Sequence, residues 1–229
     1  MSRTVGPERA EAGSALQIDV VSDVVCPWCW IGYGQLERAL ARWRERDPDA
    51  AAPRVAWHPF QLNPDMPEAG MARVDYLDAK FGSRHAYPAE RLVRAAAQAG
   101  VPLRLDRILR QPGTLRAHAL LGTAPVDDGT RHALAGALFR AYFVDGVDIG
   151  REDALRAIGR ATGLEDARID AAFGAESIAA TRAADAQARR AISGVPYFVV
   201  ARRVAVPGAQ GEAALLDAFE QALSTVSHA

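Results

Sequence analysis

The 229-residue sequence lacks a long apolar run and an excess of either charge. Nowhere do about twenty apolar residues follow one another, so we expect no membrane-spanning helix and no membrane partner. The polar residues 1–15 hold no apolar stretch of the length that a secretion signal needs, which predicts a cytoplasmic protein. A net charge of -1 argues against nucleic acid as a partner, because a phosphate backbone attracts basic proteins.

Cysteine is also scarce, since Cys26 and Cys29 are the only two in the chain. Structural zinc sites normally have four ligands, and the nearest histidine, His58, is far from the pair in sequence, so we expect no metal. Two buried, inert cysteines are the alternative, but Pro-Trp is a poor filler for a core helix. In a compartment that keeps thiols reduced, a Cys-x-x-Cys pair is better explained as a working redox pair than as a crosslink.

The residues around this pair predict a strand followed directly by a helix. Residues 15–21 have the pattern of an apolar strand, and a helical pattern runs from Pro27 to about residue 46. Proline suits the first turn of a helix, because it has no N–H to leave unpaired there. At this N-terminus the free N–H groups and the helix dipole favour a thiolate at Cys26. We therefore predict that Cys26 attacks a disulfide and that Cys29, one turn further on, resolves the mixed disulfide.

The rest of the chain predicts a split α/β architecture. Residues 55–60 form a second strand, and the length of the connection favours a parallel pair with a right-handed crossover. Residues 63–190 have helical periods and no convincing strand, with helices predicted at 73–81, 88–98, 114–122, 129–144, 151–162, 165–173 and 176–190. The apolar stripe of the fourth of these helices is predicted to be core. Pro196 then opens a strand that pairs with residues 204–206, and residues 212–223 form an amphipathic helix over the sheet.

These elements predict three regions. Residues 15–62 and 191–226 form one α/β domain, and residues 63–190 form a helical domain inserted into it. Residues 1–14 are predicted to be a disordered N-terminus.

Four stretches carry a resemblance to the DsbA-like branch of the thioredoxin superfamily. Residues 22–29, which end in Cys-Pro-Trp-Cys, and residues 194–199, Gly-Val-Pro-Tyr-Phe-Val, resemble the branch as a whole. Residues 57–64 and 138–143 resemble its cytosolic FrnE-type group. The resemblance implies a thioredoxin-like fold with an all-helical insertion domain between a βαβ half and a ββα half. It also implies a thiol–disulfide oxidoreductase that acts on protein or small-molecule disulfides.

The resemblance further implies which residues form the site. The Val195–Pro196 peptide bond is expected to be cis and to face the sulfurs, so that the Val195 backbone pairs with an extended substrate. Pro27 and Trp28 complete the motif. No cofactor is implied beyond the redox-active cysteine pair, with a low-molecular-weight thiol such as glutathione as a candidate co-substrate. The recycling reductant or oxidant is not identified by the sequence.

Several roles stay open at this point. Asp23 is a candidate cap for the cysteine helix or an acceptor for the thiol proton. Trp28 either offers contact area to a substrate or packs against the insertion. His58 either approaches the sulfurs or is a hydrogen-bonded residue at a strand end. His118 and His132 lie on predicted helices without the spacing of metal ligands, and neither receives a role.

Two rival functions also stay open. Kappa-class glutathione transferases and 2-hydroxychromene-2-carboxylate isomerases resemble this chain in outline, but they use a serine at the first position of the motif. The presence of both cysteines argues against that chemistry. A non-enzymatic holdase whose thiols sense oxidation is the second rival, and it would bind unfolded clients without turnover.

Overall fold

The computed structural model describes residues 15–46, 48, 51–82, 89–126 and 129–224. The predicted disordered N-terminus, residues 1–14, lies outside them. The elements in chain order are β1 (Gln17–Ser22), α1 (Pro27–Arg46), β2 (Arg54–Pro59), β3 (Met71–Ala72), α2 (Arg73–Phe81), α3 (Ala89–Ala99), a 3₁₀ turn (Leu105–Arg107), β4 (Arg110–Gln111), α4 (Leu115–Thr123), α5 (Thr130–Phe143), α6 (Glu152–Ala161), α7 (Asp166–Ala172), α8 (Ala175–Ala191), β5 (Tyr197–Val200), β6 (Val204–Pro207) and α9 (Glu212–Ser224). Within the described ranges, no helix is both long and apolar enough to cross a membrane.

A mixed four-stranded sheet joins the two ends of the chain. Its strands lie in the order β2-β1-β5-β6, with β1 parallel to β2 and antiparallel to β5, and β5 antiparallel to β6. The early βαβ unit and the late ββα unit therefore share one sheet, although helices α2 to α8 lie between them in sequence. This arrangement confirms the predicted α/β class with a helical insertion. The division into separate domains stays a prediction.

A short ribbon interrupts the helical segment, where the sequence predicted no strand. β3 and β4 pair Met71 with Gln111 and Ala72 with Arg110. The Arg73 N–H also donates to the Leu109 carbonyl at 2.9 Å. The expectation of no strand in residues 63–190 is therefore wrong at these four residues. The sequence did not indicate them, because a strand of two residues is too short to show an alternating pattern.

Helix α1 covers one face of the sheet. Residues Ile18, Val20 and Ser22 of β1 are buried in alternation, and Phe198 of β5 lies opposite Val20 on the same face. A Cβ on Gly32 of α1 would lie 3.1 Å from Phe198 Cζ, so α1 packs against this face. The absence of a side chain at Gly32 therefore lets the helix approach the sheet closely.

Two other helices pack against α1. α9 contacts it where Trp43 meets Phe219 edge-on, with 5.6 Å between ring centroids. The end of α3 contacts it at Gly34, where a Cβ would come within 2.7 Å of the Ala99 carbonyl oxygen. The apolar stripe of α5 is fully buried in the common core, as the sequence predicted, and it comprises Leu134, Leu138, Phe139, Tyr142 and Phe143.

Candidate active site

Cys26 lies at the turn between β1 and α1. Its N–H donates to the Asp23 carbonyl at 2.9 Å, and its own carbonyl accepts the N–H groups of Cys29 and Trp30 at 3.0 and 3.2 Å. Pro27 is the first residue of α1. The turn thus places the Cys26 sulfur at the N-terminus of the helix, which is the positive end of the helix dipole. The residue keeps 4% of its surface exposed.

Cys29 lies behind Cys26 and is more deeply buried, at 1% exposure. The two sulfurs are not bonded to each other. Burial, the hydrogen bond with Cys26 and the charge of Cys26 raise the pKa of the Cys29 thiol well above its ordinary value. The backbone of Asp23 and the hydroxyl of Ser22 offset part of this rise. Cys29 therefore keeps its proton to a higher pH than a free cysteine does.

The loop before β5 faces the cysteine pair. The Cys26 thiol is directed at the Val195 carbonyl, with 3.9 Å between sulfur and oxygen. The Val195–Pro196 peptide bond is cis. The Pro196 carbonyl accepts the Gly208 N–H at 2.7 Å, which ties this loop to the end of β6. A surface groove of about 440 Å³ runs beside the loop, lined by residues 191–197 with Pro207 and Gly208.

Gly32 sets how closely α1 and this loop approach. A Cβ at Gly32 would lie 3.0 Å from Pro196 Cγ, which is tighter than an ordinary carbon–carbon contact. Gly32 stands one helical turn after Cys29, on the same side of the helix. The glycine therefore lets Pro196 pack directly below the cysteine pair.

Trp28 is half-buried rather than fully exposed. Its ring packs against the apolar core, and the guanidinium of Arg91 from α3 lies 5.2 Å from the ring centroid. This is cation–π geometry. Of the two roles that the sequence left open, packing against the helical insertion is the one seen here.

Asp23 is a buried carboxylate that ties the cysteine turn to its surroundings. Its Oδ2 accepts the Leu62 N–H at 2.7 Å, and its Oδ1 accepts the Val25 N–H at 3.5 Å. Neither partner belongs to α1, so the helix cap, one of the two roles left open for Asp23, is not seen in these hydrogen bonds. The carboxylate instead fastens the turn that carries Cys26 to the segment that follows β2.

His118 joins this arrangement, although the sequence assigned it no role. Its Nε2 lies 3.4 Å from Asp23 Oδ1, and the two side chains are only 2% and 1% exposed. The sequence held one sign of this role, because His118 lies between Ala117 and Leu120, which are buried in α4. A polar residue at such a position needs a hydrogen-bond partner in the core. The identity of that partner depends on the tertiary contact between α4 and the cysteine turn.

The other two histidines have partners elsewhere. His58 pairs with Asp19 across β1 and β2, at 2.7 Å, so it is the hydrogen-bonded residue at a strand end that the sequence offered as one alternative. His132 accepts a hydrogen bond from Trp57 at 3.1 Å and contacts Glu37 at 2.6 Å. Both use their ring nitrogens in these pairs.

Known proteins with similar sequence or structure agree with this architecture. The family model of the DSBA-like thioredoxin domain matches residues 17–220. The Bacillus subtilis protein YwbO, described as uncharacterized, is 26% identical over 213 residues, which are 91% of this chain and 96% of YwbO. The crystal structure of the probable DsbA oxidoreductase SCO1869 from Streptomyces coelicolor is 28% identical with a TM-score of 0.76, covering 91% of this chain and 90% of that one. The cytosolic disulfide reductase DsbM from Pseudomonas aeruginosa with GSH is 21% identical with a TM-score of 0.61, covering 93% of this chain and 98% of that one.

Proposed function

We propose, because this chain belongs to the DSBA-like thioredoxin domain family, that it is a thiol–disulfide oxidoreductase whose redox pair is Cys26 and Cys29. One observation carries the proposal. The Cys26 sulfur stands at a helix N-terminus, 3.9 Å from the Val195 carbonyl, with the buried Cys29 behind it. This arrangement suits a nucleophilic Cys26 that reacts with an extended substrate and a Cys29 that then resolves the mixed disulfide.

The substrate disulfide is bound along the loop that faces Cys26. An extended chain in the groove beside this loop would pair with the backbone of Val195, as strands added to a sheet edge do. Backbone pairing does not depend on substrate side chains. We therefore propose a broad set of peptide disulfides as substrates.

The exchange proceeds in two balanced steps. In the first step the Cys26 thiolate attacks one substrate sulfur, the substrate S–S bond breaks, and the other substrate sulfur leaves as a thiolate that takes up a proton. In the second step the Cys29 thiolate attacks Cys26, and the mixed disulfide breaks to release the remaining substrate sulfur. The substrate gains two electrons and the protein ends with a Cys26–Cys29 disulfide. The same two steps in the reverse direction oxidise a substrate dithiol.

The oxidised pair then has to be reduced for another turnover. We propose a low-molecular-weight thiol such as glutathione for this step, since two such thiols supply the two electrons and form one disulfide. The fold shared with DsbM, a cytosolic protein whose structure contains GSH, supports this proposal and a cytoplasmic location.

Insulin reduction with glutathione as the electron source tests the proposed function. Wild-type protein should catalyse it, and Cys26→Ser should abolish it. Cys29→Ser should accumulate a mixed disulfide between Cys26 and the substrate. A Cys26→Ser variant as active as wild type would contradict the proposal. Binding of unfolded insulin without turnover would instead favour the redox-sensing holdase, and glutathione conjugation that survives Cys29→Ser would favour the transferase.

A further inference from the structure

Ser22 is a buried polar residue at the end of β1 that leads to the cysteine turn. It is the last residue of β1 and is buried in alternation with Ile18 and Val20, on the face that α1 covers. Phe198, opposite Val20, meets α1 at Gly32. Cys29 stands one helical turn before Gly32, and Ser22 stands one strand step after Val20. One step along β1 and one turn back along α1 both lead toward the same end of the sheet, which brings Ser22 and Cys29 to the same end of the contact between β1 and α1.

The Ser22 side chain is an enclosed hydroxyl. The residue is 2% exposed, and its Oγ makes no formed hydrogen bond with the described residues. Its backbone carbonyl is already used, because it accepts the Phe60 N–H at 3.0 Å. Buried hydroxyls are nearly always paired, so one that is kept without a formed bond needs an explanation.

The chemistry of the Cys29 sulfur explains why a buried hydroxyl is kept here without a formed hydrogen bond. The hydroxyl lies close enough to Cys29 to lower the pKa of that thiol, even though the bond is not formed in this structure. A thiol is a weak acceptor, and the Cys29 sulfur is a thiol here. A thiolate is a charged acceptor and binds a hydroxyl donor much more strongly.

We propose that the Ser22 hydroxyl donates a hydrogen bond to the Cys29 thiolate during the resolving step, so that Ser22 is a further catalytic residue. The inference rests on the proposed function and deepens it. Cys29 must lose its proton to water before it attacks, and its burial makes the thiolate scarce. Ser22 raises the thiolate fraction. Cys29 then bonds to Cys26, the mixed disulfide breaks, and the substrate sulfur leaves as a thiolate that is protonated by water.

The test separates the two steps of a single turnover. Reduced protein is mixed with a peptide disulfide, quenched with acid, alkylated and resolved by mass, which follows the mixed disulfide as it forms and decays. Ser22→Ala removes the hydroxyl. Ser22→Thr keeps it, and Ser22→Val is the matched control, because valine has nearly the shape of threonine without the hydroxyl.

The expected result is specific to the second step. Ser22→Ala should form the mixed disulfide at the wild-type rate and resolve it slower, on the order of tenfold, as for loss of a hydrogen bond to a charged group. The pH at which resolution reaches half its maximum should rise in this variant, which a merely structural role would not cause. Ser22→Thr should resolve faster than Ser22→Val by a similar factor.

Equal resolving rates and pH profiles in Ser22→Ala and wild type would overturn the inference while leaving the proposed function intact. If Ser22→Ala does not fold, the comparison of threonine with valine decides the question, and equal rates in that pair overturn the inference. Failure of wild-type protein to form any mixed disulfide would overturn the proposed function, and the inference with it.

Discussion

Replacing Gly32 by alanine tests how closely the Val195–Pro196 loop must approach the cysteine pair. The added methyl carbon would lie 3.0 Å from Pro196 Cγ and 3.1 Å from Phe198 Cζ. Carbon atoms prefer separations of about 3.5–4.0 Å, so the loop has to retreat by about 0.5 Å. Because Pro196 is bonded to Val195, this retreat carries the Val195 carbonyl away from the Cys26 sulfur.

The substitution has opposing effects on stability. Overpacking costs about 1–3 kcal/mol, and alanine recovers about 1 kcal/mol over glycine inside a helix. We therefore expect a net loss of about 0–2 kcal/mol, which the chain should survive. The effect on activity should be larger, because a misplacement of about 1 Å can cost about a hundredfold and half that shift about tenfold.

Two substrates distinguish an effect of the substitution on the loop from an effect on the cysteine sulfurs. Insulin reduction, which by the proposed function uses the loop backbone, should fall about tenfold in kcat/KM. Reaction with a small aromatic disulfide such as Ellman's reagent, which needs only the Cys26 thiolate, should stay at the wild-type rate. Gly122→Ala is the matched control, since a Cβ there meets no atom within 4 Å. That variant should gain up to about 1 kcal/mol of stability and leave both reactions unchanged.

Two results would refute this reasoning. Undiminished insulin reduction in Gly32→Ala would mean that the loop does not position the substrate. An equal fall with both substrates would mean that the substitution disturbed the cysteine helix instead.

Three further predictions concern stability. Because burial raises the pKa of Cys29, the reduced folded chain keeps a proton that the unfolded chain releases above its pKa of about 8.5. Stability should then fall as pH rises above that value, by up to about 1.4 kcal/mol per pH unit. Urea unfolding of reduced wild type should show this slope and Cys29→Ser should lack it; equal slopes would contradict the prediction. His118→Leu should cost about 1–3 kcal/mol, because it leaves a buried oxygen of Asp23 without its side-chain partner, and adding Asp23→Asn should recover part of that loss in the same assay. A cost below about 1 kcal/mol would show that the pair contributes little. Arg91→Ala should cost less than about 1 kcal/mol, since it removes one solvent-exposed cation–π contact with Trp28, and a larger loss in thermal unfolding would contradict this.

Local signals in the sequence predicted most elements to within one or two residues. The helix predicted over residues 73–81 has those bounds in the structure, and the terminal helix differs by one residue. Prolines, glycines and the helical period act over a few neighbouring residues, so they are visible without knowledge of the fold. The ribbon of β3 and β4 was missed because its strands exist only where two distant segments meet.

The start of β5 differs from the prediction by one residue. The sequence placed Pro196 at the opening of a strand, whereas β5 begins at Tyr197. Pro196 belongs to the loop that faces the cysteines, as the family resemblance implied. Its surroundings are set by Gly32, a residue whose importance lies in the side chain that it lacks.

The sequence by itself determined the position of the cysteine pair at the start of a helix, because a strand, a proline and a helical period are all local. The family resemblance already implied that the Val195–Pro196 loop faces the pair, and the structure adds the 3.9 Å distance between the Cys26 sulfur and the Val195 carbonyl. Only the tertiary structure decided which other residues lie nearby, such as His118, which contacts Asp23 across 95 residues. Such contacts follow from how the sheet and helices pack as a whole, and a packing partner far along the chain produces no pattern near the residue that it contacts.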